Sequence, residues 1–210
     1  MLAVQKIFLE EVPGMCCDEE LLMAKGKDLQ SQEIEHLLEE LGNDLAQRGI
    51  PVVRMMIVGG AYMLLNIENR ASTQDIDVFP INYIDSSQPD SETRRILSAI
   101  NAVARNHTLK RDWLNDSVFG ILGWMMPPLE ELTLWRTYAV LELYMPAPDF
   151  ILATKIFGFR DKDFNDVQAL LQKLAVQTRE QAQAIVDRYI DRKTQQEYRT
   201  HITLDDLFED

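Results

Sequence analysis

The sequence predicts an α/β (α+β) fold, in which a small mixed sheet is flanked by helices and followed by a C-terminal helical block. Helix-like and strand-like apolar patterns alternate through the middle of the chain, the strand-like runs are short and continuous, and the last quarter has only helix-like periodicity. We therefore divide the chain into an N-terminal extension at 1–30, an α/β domain at 31–148 and a C-terminal helical region at 149–210.

The composition is that of an acidic globular protein. Among 210 residues, 34 Asp and Glu oppose 21 Lys and Arg, which gives a net charge of -13, and 46% of the residues are hydrophobic. This charge disfavours broad attraction to a nucleic acid backbone, whereas a small anionic substrate that arrives with Mg²⁺ is compatible with it. The sequence contains no membrane-spanning window and no secretory leader pattern. Cys16 and Cys17 are adjacent and so do not form a disulfide framework, which favours a reducing compartment. We therefore predict a cytoplasmic protein with no membrane association.

A helix and a central strand open the predicted domain. Apolar residues at spacings of three and four predict a helix that begins at Ser31 and ends at Gly49. Its apolar face is formed by Ile34, Leu37, Leu38, Leu41 and Leu45. The continuously apolar run at 52–58 then predicts a strand that is buried on both faces.

A short helix and a second strand follow. The strand at 52–58 leads into Gly59 and Gly60, residues 61–67 can form two helical turns, and residues 68–74 are polar and loop-like. The sequence then predicts a second strand over 75–81.

The remaining elements are read from caps, apolar spacing and prolines. The pattern predicts a helix capped by Ser91 and running to Asn106, a turn at 113–116 and a single strand over 137–145 that contains Glu142. The predicted C-terminal helices span 149–157, 164–175 and 180–192, and an acidic tail follows them.

Two carboxylates mark the start of the second predicted strand. Asp75 and Asp77 are two residues apart, so in a strand they point to the same face and can hold a divalent metal, Mg²⁺ or Mn²⁺. A third acid usually completes such a site and accepts a proton, and we assign this role to Glu142, with Asp112 and Asp116 as alternatives.

The glycine pair before these acids is suited to phosphate binding. A backbone without side chains can approach phosphate oxygens closely, and the start of the following helix offers unpaired N–H groups. Each motif alone also has a structural explanation, because glycines often end strands and paired acids often lie at a solvated strand end.

Together these segments resemble the nucleotidyltransferase superfamily, whose signature is a strand, Gly-Gly or Gly-Ser, a helix, and Asp-x-Asp on the next strand. In particular they resemble the type IV toxin nucleotidyltransferases of the abortive-infection class and related uncharacterised bacterial proteins. A second segment supports this likeness, because Lys155 followed by Arg160, Lys162, Asp163 and Asp166 is similar to that group's Lys and Arg-x-Lys-Asp-x-x-Asp pattern.

The resemblance implies a magnesium-dependent enzyme that joins a nucleoside monophosphate from a nucleoside triphosphate to a hydroxyl acceptor, such as a tRNA end, a protein side chain or a small molecule. It implies that Gly59 and Gly60 contact phosphates and that Asp75 and Asp77 bind the metal. If the chain is a toxin, a separately encoded antitoxin would be its partner.

The second motif carries its own implied roles. Lys155 and Asp163 are implied to place nucleotide and acceptor, and Arg160 to contact the nucleotide. From the residues alone, Lys155 could equally be a surface lysine, and Asp163 and Asp166 could cap a helix.

Two departures and two alternative functions remain open. Gly60 stands where many relatives carry Ser, and no motif fixes the third carboxylate. A degenerate member of the fold could bind nucleotide or a partner protein without turnover. A haloacid-dehalogenase-like phosphatase also uses Asp-x-Asp, but such sites usually have Thr or Val where this chain has Phe79, and the glycine pair is then unexplained. His36, His107 and His201 show no ligand spacing, and we predict no catalytic role for them.

Overall fold

The structure is a computed structural model, and it describes residues 27–83 and 85–209. Cys16 and Cys17, with most of the predicted N-terminal extension, lie outside the described residues. The strands are β1 (Val53–Ile57), β2 (Ile76–Pro80), β3 (Leu114–Asn115), β4 (Thr133–Tyr138) and β5 (Leu141–Met145). Within the described part of the chain, every helix is too short or too polar to cross a lipid bilayer.

Helices surround these strands and form the C-terminal part. The α-helices are α1 (Ser31–Gln47), α2 (Gly59–Tyr62), α3 (Ser91–His107), α4 (Phe119–Leu122), α5 (Pro148–Phe157), α6 (Phe164–Lys173), α7 (Arg179–Tyr189), α8 (Arg192–Glu197) and α9 (Thr200–Phe208). A π-helical segment, Met63–Ile67, continues α2, and 3₁₀ turns occur at Gly123–Met125, Leu129–Glu131 and Asp161–Asp163.

The strands form one mixed sheet in the order β3-β2-β1-β5-β4. The central strand β1 is antiparallel to β2 and parallel to β5, while β3 is parallel to β2 and β4 is antiparallel to β5. Strand β1 has neighbours on both sides and its apolar residues are buried, as its continuously apolar sequence predicted. The predicted fold class, a small mixed sheet flanked by helices with a C-terminal helical block, is confirmed.

Helices α1 and α3 lie side by side, and α1 also contacts β4 and β5. The predicted apolar face of α1 is fully buried, and Gly49, at φ +63°, ends the helix where a residue with a side chain would be strained. The residues that cap α1 and α3 are Gln30 and Asp90, so the cap of α3 lies one residue before the predicted Ser91. The N–H of Gln30 donates to Glu33 at 3.0 Å, and the carboxylate of Asp90 accepts from Thr93 N–H at 2.7 Å.

Helix α5 covers the opposite face of the sheet. Phe79 points to the same face as Asp77 because the two residues are two positions apart in β2. The ring of Phe79 packs edge-on against Phe150 of α5, with 6.4 Å between centroids. The hydroxyl of Tyr62 donates to the carbonyl of Pro146, at 3.1 Å, just before that helix. The start of the C-terminal helical region therefore lies over the face that carries the predicted metal ligands.

Three local predictions are corrected by the structure. The single strand predicted at 137–145 is the second half of a β4–β5 hairpin, whose turn at Ala139 has φ +51° and carries none of the usual turn residues. The predicted turn at 113–116 contains the short strand β3, and the acidic tail forms α8 and α9.

Leu29 is buried and exchanges two backbone hydrogen bonds with Thr73, of 2.7 and 3.0 Å, so residues just before 31 pack against the domain.

Candidate active site

The glycine turn and the second strand are in direct contact. The backbone N–H of Val58 donates to the carbonyl of Asp77 at 3.0 Å, so the β1–β2 pairing continues up to Gly59. Gly59 has φ +62°, and a Cβ at this position would overlap the Asp77 carboxylate. Two constraints therefore disfavour any side chain at position 59: the positive φ of the backbone, and the space already occupied by the Asp77 carboxylate.

Gly60 is constrained by different neighbours. A Cβ at Gly60 would come within 2.7 Å of Thr73 Oγ1 and within 3.2 Å of a terminal nitrogen of Arg70. The helical segment begins at this pair, and the first N–H groups of a helix have no intrahelical partner. The turn thus presents free donors beside a guanidinium.

Asp75 and Asp77 lie at the start of β2, with Asp75 directly before it. Burial is the main cause that raises the pKa of Asp77, and the negative charge of Asp75 raises it further. A hydrogen bond from Asn115 and the positive charges of Arg160 and Lys162 lower it, and the net pKa is about 6. The carboxylate pair is therefore electrostatically strained when no cation is bound.

A buried charge network lies next to this pair. Lys155 Nζ is 2.8 Å from Asp163 Oδ1 and 2.7 Å from Asp166 Oδ2, and the three residues are only 8%, 2% and 1% exposed. Arg160 Nε donates to the other oxygen of Asp163 at 2.8 Å, and the Arg70 guanidinium makes a two-point contact with Asp166. Lys155 is thus not the surface lysine that its sequence context also allowed.

These ion pairs keep both carboxylates charged. Burial would raise the pKa of Asp163 and of Asp166, but hydrogen bonds from Arg160 and Lys155 to the former, and from Arg70 and Lys155 to the latter, hold each pKa below its ordinary value. A carboxylate with a lowered pKa is a weak proton acceptor. Asp163 is therefore suited to hold Lys155 and Arg160 in place.

Arg70 connects the glycine turn with the Lys155 charge network. It lies in the loop after the π-helical segment, pairs with Asp166 of α6, and places one terminal nitrogen against Gly60. Asn69 supports the same carboxylate through a 3.0 Å hydrogen bond. The glycine turn, the carboxylate pair and the Lys155 network are consequently adjacent parts of one polar site.

Glu142 is not part of that polar site. Its register partner in β1 is Arg54, whose Nε is 2.7 Å from Glu142 Oε2, and Tyr144 donates to the same oxygen at 2.9 Å. Asp77 is aligned with Val58, four strand residues further along, which corresponds to about 13 Å. This corrects the prediction that Glu142 completes the acid set, because the residue is held in an ion pair at the other end of β1.

The two alternative acids are also directed elsewhere. Asp116 accepts hydrogen bonds from the backbone N–H of Ser86, at 2.7 Å, and from its hydroxyl, while Asp112 is exposed. The residue beside Asp77 on the parallel strand β3 is Asn115, an amide.

Sequence reasoning missed Arg70 and Asn115 and assigned no role in the site to Asp166. Arg70 lies in a polar loop without a motif, and Asn115 lies in a segment that predicted only a turn. Asp166 belongs to the matched pattern, but its spacing from Asp163 equally fitted a helix cap. The available signal for Asp166 was that pattern, whereas Arg70 and Asn115 required the tertiary structure.

The carboxylate pair suits a hard divalent cation. The charge of Asp75 raises the pKa of Asp77, and a bound Mg²⁺ would relieve this repulsion with the oxygen ligands that it prefers. Among residues 27–83 and 85–209, no third carboxylate, His or Cys shares ligand distance with the pair. Water and phosphate oxygens would therefore fill the remaining positions, as is usual for Mg²⁺.

Comparison with known proteins identifies the family. The family model described as "nucleotidyltransferase of unknown function (DUF6036)" matches residues 32–201, which include every strand and every residue of the site. Searches of curated proteins and of solved structures found no match to the chain.

Proposed function

Since the chain belongs to this nucleotidyltransferase family, we propose that it transfers a nucleoside monophosphate from a nucleoside triphosphate to a hydroxyl acceptor and releases pyrophosphate. One observation carries the proposal. Gly59 lies against Asp77, while Arg70 connects Gly60 to the buried Lys155–Asp166 pair. This arrangement supports the proposal, because it would let the glycine turn bind phosphate next to the two carboxylates and the buried cations.

In this proposal Asp75 and Asp77 hold Mg²⁺ or Mn²⁺. The bound cation would neutralise phosphate charge and stabilise the charge that develops on the leaving pyrophosphate. The acceptor oxygen forms a bond to the α-phosphorus as the bond to the bridging oxygen of pyrophosphate breaks. Because Asn115 stands beside Asp77 and cannot accept a proton as a carboxylate does, the hydroxyl proton passes to water.

The cations of the site are proposed to hold the triphosphate. Arg160 is well suited, since its side chain is 64% exposed although it is anchored to Asp163. Arg70 already has a terminal nitrogen at Gly60, where the phosphates would approach. Lys155 is buried between two carboxylates, so we assign it the role of positioning Asp163 and Asp166 and supplying positive potential.

The acceptor and the biological context are proposals from the resemblance alone. A tRNA end, a protein side chain or a small hydroxyl compound is the expected acceptor class, and a separately encoded antitoxin is the expected partner if the protein is a toxin. A cytoplasmic location fits these acceptors.

One observation favours a second candidate, a protein that binds nucleotide or a partner without turnover. The third acid is absent from the position beside Asp77, which holds Asn115, and Glu142 is engaged with Arg54. Loss of a general base typically costs about 10²- to 10⁴-fold in rate. The amide therefore predicts either slow transfer or none.

The test is transfer of an α-labelled nucleotide. Each labelled nucleoside triphosphate is incubated with the protein, Mg²⁺ or Mn²⁺, and total RNA, cell protein or small hydroxyl compounds. Label in one acceptor class, lost in Asp77→Asn and retained in Asp112→Asn, is the expected result. Asp112 is a matched control because it is an exposed acid outside the site.

Two outcomes would contradict the enzyme. Magnesium-dependent nucleotide binding without transfer to any acceptor would support the binding protein instead. Transfer that survives Asp77→Asn would show that the site is elsewhere.

For Arg70, the variant Arg70→Lys is expected to raise KM for the nucleotide. The control Arg105→Lys changes an exposed arginine on α3 and should leave KM unchanged.

A further inference from the structure

A second group of metal-binding side chains lies between α1 and α3. His36 and Glu40 are four residues apart on α1 and so share a face, and His107 is the last residue of α3. One ligand atom from each of the three side chains lies within 4.8 Å of the other two. Glu40 Oε2 is 2.5 Å from His107 Nε2, and the two imidazole rings are 5.7 Å apart between centroids.

The distances allow a common metal ion. A tetrahedral site with ligand bonds of about 2.0–2.1 Å places its ligand atoms about 3.3 Å apart. The present separations lie on both sides of that value, from 2.5 Å to at most 4.8 Å. His36 is exposed, so its side chain is free to rotate toward the other two without disturbing the core.

The surroundings also favour a cation. Asn106 donates to Glu40 Oε1 at 3.0 Å, which orients the carboxylate and leaves Oε2 directed at His107. The adjoining pocket is lined by Glu39, Asn43 and Asp44 among others, and because Asp44 is paired with Arg48, Glu39 is the acid that adds negative charge beside the cluster. An open coordination position would face this pocket and accept water.

We propose that His36, Glu40 and His107 form a binding site for a divalent transition-metal ion such as Zn²⁺. Two imidazoles and one carboxylate suit such an ion better than Mg²⁺, which prefers oxygen ligands. The ion joins the C-terminal end of α3 to the middle of α1. The site is distinct from Asp75 and Asp77, because neither of those carboxylates lies within ligand distance of the three side chains.

The experiment measures Zn²⁺ affinity of the full chain by competition with a chromogenic chelator, after removal of bound metal. It is run with the natural cysteines and again with Cys16→Ser and Cys17→Ser, because thiolates also bind zinc. Asn106→Ala, which removes the hydrogen bond that orients Glu40, is expected to weaken binding about 10- to 100-fold, and His36→Ala, which removes a ligand, at least as much. His201→Ala is the matched control, an exposed histidine on α9 that should bind as the unmodified protein does.

The outcomes are decisive for the proposal. Wild-type affinity in both His36→Ala and His107→Ala would overturn it, as would zinc binding that is lost in Asp77→Asn but kept in His36→Ala. Thermal melts give an independent measurement, because Zn²⁺ is expected to raise the melting temperature of the unmodified protein and of His201→Ala but not of His36→Ala. Since His36 is exposed, its replacement leaves the fold available for this comparison.

Discussion

Replacing Asp77 with Asn is expected to stabilise the metal-free protein at pH 8 while removing its response to magnesium. Asn has nearly the same shape as Asp but carries no charge. The fold holds Asp77 in a half-buried position next to Asp75, which raises its pKa from 3.8 to about 6. The folded state therefore prefers the uncharged form, and the amide supplies that form at every pH.

The magnitude follows from the pKa of Asp77. Each pKa unit corresponds to about 1.4 kcal/mol, so the rise from 3.8 to about 6 corresponds to about 3 kcal/mol in favour of the variant above pH 7. Asp77 retains some solvent contact, and screening reduces the expected gain to roughly 1–3 kcal/mol.

The pH dependence has a definite sign. Because the folded pKa lies above the unfolded one, the wild type loses stability as pH rises from about 4 through about 6, and the loss is constant above that range. At pH 4.5 the advantage of the variant should fall to about a third of its value at pH 8.

Urea unfolding followed by the fluorescence of the three tryptophans measures these free energies. The wild type, Asp77→Asn and the exposed control Asp112→Asn are compared in EDTA at both pH values, and then with Mg²⁺ and nucleoside triphosphate. Ligand binding should stabilise the wild type and the control but not Asp77→Asn. A variant less stable than the wild type at pH 8, or a difference that does not change with pH, would refute this reasoning.

Three further substitutions test the neighbouring features. Gly59→Ala and Gly49→Ala impose the same positive-φ strain of about 1–2 kcal/mol, but only at Gly49 is there nothing within 4 Å of the added Cβ. We therefore expect Gly59→Ala to abolish nucleotide binding and Gly49→Ala to retain it. Loss of binding in both variants would contradict the proposed contact. Lys155→Ala removes the buried cation shared by Asp163 and Asp166 and leaves each with one arginine, so it should cost about 3–5 kcal/mol in urea unfolding, whereas the exposed control Lys173→Ala should cost under about 0.5 kcal/mol. Glu142→Gln should leave label transfer within about twofold, because Glu142 lies on β5 beside Arg54, at the end of β1 that is far from Asp77. A larger loss of transfer would show that Glu142 does act in the site.

The sequence predicted the parts of the fold that are specified locally. The apolar spacing of α1, the buried run of β1 and the stop at Gly49 each depend on the intrinsic period or conformation of a short segment. The β4–β5 turn was missed because it uses Ala139 at positive φ, where turns usually carry Gly or Asn. One strand was consequently predicted where two exist.

The candidate site shows the same division. Gly59, Asp77 and Lys155 belong to motifs whose order along the chain is itself informative. The position of Glu142 depended on strand register, which no local pattern carries, and the register pairs it with Arg54. Arg70 could be recognised only once its contact with Gly60 was known.

The charge network has a consequence for any attempt to divide the chain. A cut between 148 and 149 would leave Arg70 and Asn69 on one fragment and Asp166 on the other. The hydrophobic core also continues across this boundary. Neither fragment expressed alone would satisfy its buried polar groups, whereas the two fragments expressed together would present complementary surfaces. The protein is thus suited to a split-protein design, in which recovery of a folded molecule signals that its two pieces have reassembled.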